Sequence, residues 1–166
     1  MARRGFGTYA LMVSVVLWGV LLGGVVYAHV VFFPPYLSHL PESAEIINGP
    51  FPVDDARFWM LIHPVLILSL IVSLVSNWRD RGRRRLIAIP FGVYLLVMVA
   101  TLIYFVPELM AFKTSAGSTI SGAEWLTRGN RWQYLSWARG VIMFVSIVPL
   151  LLALMRSPYG MSNDQN

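Results

Sequence analysis

Four long apolar stretches, Tyr9 to Phe33, Phe58 to Trp78, Leu86 to Val106 and Trp132 to Met155, constrain this chain more than anything else in it. Each has at least the roughly 20 residues needed to cross a hydrocarbon core about 30 Å thick. Lipid offers no partners to backbone N–H and C=O groups, so such stretches satisfy them internally as α-helices. The expectation is an all-α fold: an integral membrane four-helix bundle forming one domain over residues 1–166, with long connections at 34–57 and 107–131. A composition that is 57% hydrophobic and 13% charged agrees with that class.

Arginine placement sets the expected orientation. Arg3 and Arg4 precede the first stretch, and Arg79, Arg81, Arg83, Arg84 and Arg85 crowd the turn between the second and third. The connection holding Glu42, Glu45, Asp54 and Asp55 has only Arg57. The positive-inside rule then predicts cytoplasmic N and C termini and places both long connections outside. The first stretch is longer than the apolar core of a signal peptide, so it is expected to be retained. The net charge of +5 comes mostly from these arginines. It points to anionic lipid headgroups as partners and not to nucleic acid.

The chain has no cysteine, which excludes disulfides, thiolate ligands, iron–sulfur clusters and covalently attached haem. H-E-x-x-H, G-x-S-x-G, P-loop and Rossmann patterns are absent, which removes support for hydrolase and nucleotide chemistry. Gly19 and Gly23 form a G-x-x-x-G, and Gly24 adds a third small residue on a neighbouring face; together they permit close helix approach, expected inside the bundle in preference to a dimer seam. Ser121 and Glu124 have capping-box spacing, which predicts a short interfacial helix near 123–127, with Trp125 and Trp132 at headgroup level.

Ionisable side chains inside a membrane are costly and mark function by default. His29, His63, Glu108 and Arg139 lie on four different stretches, and counting residues from the stretch ends at ~1.5 Å each puts them at similar depth. Tyr104 shares a helix face with Thr101 and Glu108, while Trp59 stacks over His63. These residues predict an aromatic-rimmed polar pocket near the outer leaflet. Taken singly, each His also reads as an interfacial residue bonded to a carbonyl or water, Glu108 as a loop carboxylate, and Arg139 as its ion-pair partner. Pro64 follows His63, and a helix starting only at Pro64 would be too short to cross, so the proline is expected within the helix.

Two imidazoles and a carboxylate with open positions form the facial set used by non-haem iron, which makes His29, His63 and Glu108 candidate metal ligands. Adding His39 would suit copper or zinc instead. Alternatively His29 and His63 clamp a haem b, with Arg139 pairing a propionate. The catalytic candidates are Glu108, Arg139 and Tyr104, and the cofactor-binding candidates are His29, His63 and Arg139. These alternatives stay open on the residues alone.

The strings YAHVVFFPPY (Tyr27 to Tyr36), FWMLIHPVL (Phe58 to Leu66), YFVPEL (Tyr104 to Leu109) and RWQYLSWARG (Arg131 to Gly140) resemble the helix-end signatures of a small four-span membrane family that includes anthrone oxygenase-like proteins. The resemblance implies an oxygen-dependent oxidation of a lipophilic or aromatic substrate in a bacterial plasma (inner) membrane, with His29, His63, Glu108 and Arg139 at the site. Two readings of other classes stand beside it: a haem b electron carrier, and a non-catalytic accessory or assembly subunit of a membrane complex. Homo-oligomerisation is compatible with each.

Overall fold

A computed structural model describes residues 2–156. Among them there is no strand, and the molecule is an all-α bundle of four helices long and apolar enough to cross a membrane. The spans are Gly5–Ser38, Ala56–Ser76, Arg81–Lys113 and Gly122–Met155. They alternate in direction, so one end of the bundle collects the arginine-rich turn and the other collects the two long connections.

Three of the four spans run farther than the apolar stretches. At ~1.5 Å per residue the 34-, 33- and 34-residue spans reach about 50 Å, whereas the 21-residue second span reaches only about 32 Å. The first, third and fourth therefore project beyond the second and form a helical cap over its end. The cap includes Val106–Lys113 and the first turns of Gly122–Val145, so the expected short interfacial helix is the start of the fourth span. Its N-cap is as the spacing required, with Ser121 Oγ accepting from the Glu124 N–H at 3.2 Å. Trp125 and Trp132 are not lipid-facing anchors. Each is 2% exposed and packs in the cap core with Phe33, Tyr36 and Phe112, because both lie on the inward face of that helix, seven residues apart.

Prolines shape every span. Two wide π-helical turns, Ala28–Phe32 in the first span and Thr101–Phe105 in the third, each end two residues before a proline. The Phe33 N–H donates to Ala28 and the Val106 N–H to Thr101, each reaching back five residues. Pro34 and Pro107 have no N–H, and their rings crowd the carbonyl four residues back, so the preceding turn widens to spend its last donor. Pro64 lies inside the second helix, as its length demanded, and Pro149 follows a break at Ser146 in the fourth.

At the arginine end, buried polar groups tie the helices together. Ser14 on the first span bonds Ser73 at 2.8 Å and Ser69 at 3.2 Å on the second. Asn77 Nδ2 donates to the Gly7 carbonyl at 3.0 Å. Arg83, 2% exposed, donates to Thr8 Oγ1, Asn77 Oδ1 and the Arg156 carbonyl, joining all four spans. Gly24, not the Gly19 and Gly23 pair, makes the close approach within the bundle. The Phe58 ring lies where a Gly24 side chain would be, while Gly19 and Gly23 have open space before them.

Candidate functional site

The centre of the site is Arg139. Its Nη1 donates to Thr101 Oγ1 at 2.8 Å and its Nη2 to Ser136 Oγ at 2.8 Å, and its guanidinium carbon lies 4.0 Å from the centre of the Phe105 ring. Both third-span partners come from the Thr101–Phe105 π turn, whose extra residue swings them inward together. Among the described residues no carboxylate pairs with Arg139; the two ion pairs are Arg57–Asp54 and Arg128–Glu108. The guanidinium is thus held by hydroxyls and a ring face, with no carboxylate partner among the described residues.

His29 lies in the other π turn and is 3% exposed. Its Nδ1 is 2.7 Å from the Val25 carbonyl, which can only accept, so Nδ1 carries the proton. Nε2 is then the basic nitrogen, and it is buried without a hydrogen-bond partner. The ring sits in an aromatic cage of Phe33, Trp132 and Trp137, with centroids at 5.3, 6.2 and 4.9 Å. An imidazole whose one nitrogen is anchored on a backbone carbonyl presents the other as a base or ligand.

His63 occupies a different environment. Its Nδ1 meets the Tyr94 hydroxyl at 2.6 Å, and its ring stacks on Trp59, whose Nε1 donates to Asp55 at 2.8 Å. The two histidines do not share a depth. Gly24 lies against Phe58, so in antiparallel register His63 falls level with Gly19, while His29 is five residues beyond Gly24 in the opposite direction. Their Cα atoms are separated along the bundle by roughly 15 Å at ~1.5 Å per residue. Arg139 lies between these levels, since its neighbour Gly140 packs toward Val25.

Glu108 does not join this group. It forms a bidentate pair with Arg128 at 2.9 to 3.1 Å near the surface of the cap, and Arg128 also lies over Trp125. The expected Glu108–Arg139 pair is replaced because Glu108 follows the third-span π turn and faces the first turns of the fourth span. Among the described residues no three His, Asp or Glu side chains come together as a metal-holding group. The His29, His63 and Glu108 ligand set is therefore not assembled, and exposed His39, bonded to Ser38 Oγ, does not complete it. The matched depth expected of a haem clamp between the two histidines is absent, since their Cα levels differ by roughly 15 Å.

Tyr104 is half-buried and packs edge-on against Phe105, and it is not among the partners of Arg139. Trp59, His63, Thr101, Tyr104 and Arg139 are all half-buried and come from three spans. The second span has its main seam with the first and no comparable seam with the third-span π turn or the start of the fourth, which leaves this side of Arg139 the more open. Tyr36, fully buried in the cap, has a hydroxyl without a partner, within electrostatic reach of Asp55. Sequence reasoning missed Thr101 and Ser136 as arginine acceptors and Tyr36 as a buried orphan. Only the prolines after the π turns hinted at the first two. No family model, curated protein or solved structure matches this chain.

Proposed function

We propose that this protein is an integral membrane oxidoreductase, of oxygenase type, acting on a lipophilic aromatic substrate that carries an acidic C–H or O–H and an oxygen able to hold negative charge. The observation that carries this is the buried, unpartnered Nε2 of His29 beside a cation with no carboxylate. Nε2 accepts the substrate proton, the electron pair left behind moves to the substrate oxygen, and Arg139 stabilises that oxyanion in a medium where a charge is worth far more than in water. Dioxygen is the oxidant: the deprotonated carbon forms a C–O bond to it, the peroxide anion so made takes back the proton from His29, and its O–O bond breaks with loss of water to leave a carbonyl. The phenyl and indole walls at Phe33, Phe105, Trp132 and Trp137 suit a flat aromatic body.

Placement in a bacterial inner membrane with cytoplasmic termini belongs to the same proposal and rests on the arginine bias. The likeness to anthrone oxygenase-like proteins supports the substrate class. The test is oxygen uptake and product mass in membranes containing the protein, with anthrone as probe. Incorporation or oxidation by the unaltered protein, lost in His29→Phe and Arg139→Met, is the expected result. Equal product from all three would overturn it.

A second reading is favoured by one observation: Arg139 bonds both the third and fourth spans, as a clamp in a non-catalytic accessory subunit would. That role requires Arg139 for folding, and the proposed one does not.

A further inference from the structure

A second site lies at the opposite end of the bundle, on the third span. Its inward face carries Arg83, Ile87, Pro90 and Tyr94, all buried, at the i, i+4, i+7, i+11 spacing of one helix side. The opposite side begins with exposed Arg81 and Arg85 and continues as Ala88, Gly92 and Leu96, also exposed. Gly92 leaves open space where a side chain would stand. One helix face thus passes from two cations to a hydrocarbon strip with a notch in it.

The cations have no internal use. Asp80, the nearest acid in sequence, is the helix cap, with Oδ1 accepting from the Gly82 and Arg83 N–H groups at 3.0 Å each. Among the described residues neither Arg81 nor Arg85 is in an ion pair. Beside them Trp78 is 55% exposed and the Arg84 guanidinium stacks on it at 4.9 Å, the arrangement of an interfacial indole at headgroup level. Arg83 is turned inward and bonds the other spans, which holds this first turn rigid.

The geometry points to a binding site for one anionic phospholipid, its phosphate between Arg81 and Arg85 and an acyl chain along Ala88 and Leu96 across the Gly92 notch. Charge complementarity selects the headgroup, and the apolar strip immediately below it selects a lipid over a free phosphate. Each arginine near a membrane surface contributes about fivefold in affinity for anionic lipid, so the pair contributes about thirtyfold.

Native mass spectrometry of the purified full chain, offered equal amounts of palmitoyl-oleoyl phosphatidylglycerol and phosphatidylcholine, tests this. The unaltered protein is expected to retain the phosphatidylglycerol selectively. Arg81→Gln with Arg85→Gln should weaken that retention about thirtyfold. Gly92→Leu should weaken it several-fold, and Arg57→Gln in the first turn of the second span, at the other end of the bundle, should leave it unchanged. Raising salt from 0.1 to 1 M supplies a readout free of mutation and should release the anionic lipid preferentially. Equal retention of both lipids, an unchanged double variant, or binding of inorganic phosphate as strong as that of the lipid would each overturn the site.

Discussion

Replacing Arg139 with Met separates a functional cation from a structural clamp. The side chain gives up two charge-assisted bonds, to Thr101 and Ser136, and its contact with Phe105. Bonds to a charged group contribute about 1.5–3 kcal/mol each and the ring contact about 0.5–2 kcal/mol, together roughly 4–8 kcal/mol. Against this stands the desolvation of a guanidinium with no carboxylate partner, several kcal/mol for a buried ion. Met nearly fills the same space and removes that penalty, while Thr101 keeps its own bond to the Val97 carbonyl at 2.7 Å. The two sides nearly cancel, so Arg139→Met should unfold within about 5 °C of the unaltered protein, or above it, while losing oxidation of the probe. Thermal unfolding in detergent, followed by tryptophan fluorescence, reads this directly. For a domain of this size about 1 kcal/mol moves the midpoint by 2–4 °C. A fall of more than about 10 °C would mean the cation holds the bundle together, and the catalytic proposal would lose its main support.

Other outcomes follow from the same contacts. Glu108→Gln should cost no more than about 1 kcal/mol and leave probe oxidation intact, because its pair with Arg128 is partly solvated; loss of turnover on assay would restore Glu108 to the site. Arg83→Gln should lower the unfolding midpoint by roughly 6–20 °C, since breaking a buried charged network costs about 3–5 kcal/mol, whereas exposed Arg85→Gln should leave it unchanged. Gly24→Leu should destabilise by driving into the Phe58 ring, and Phe58→Ala in the same chain should restore part of the loss in the same unfolding assay. Ser14→Ala should cost about 0.6–1.7 kcal/mol, the range for hydrogen bonds between membrane helices.

The four helices are legible in the sequence because hydrocarbon imposes a length and an apolarity that few other folds share. The identity of the polar residues is legible for the same reason: His29, His63 and Arg139 stand out against an apolar background. Their depth is not. Counting from the ends of apolar stretches assumes that every span starts at the same level, yet three spans run well past the second, and the true register is set by contacts such as Gly24 with Phe58. Glu108 was misplaced because partner choice depends on which way the helix faces after a π turn, and one extra residue rotates everything beyond it. The prolines at 34 and 107 carried that information in a form that propensity alone does not decode. The G-x-x-x-G expectation failed for a simpler reason: Gly24, one position along, faces the neighbouring helix, and Gly19 and Gly23 do not.

With only three histidines in the chain, ¹⁵N NMR of the histidine-labelled protein can report the state of each ring nitrogen separately. For His29 the expected spectrum shows a proton on Nδ1, bonded to a carbonyl, and a bare, unbonded Nε2 whose resonance moves when anthrone is added and stays still in Arg139→Met. A proton on Nε2, or an Nε2 resonance indifferent to the probe in the unaltered protein, would show that no base waits in this pocket.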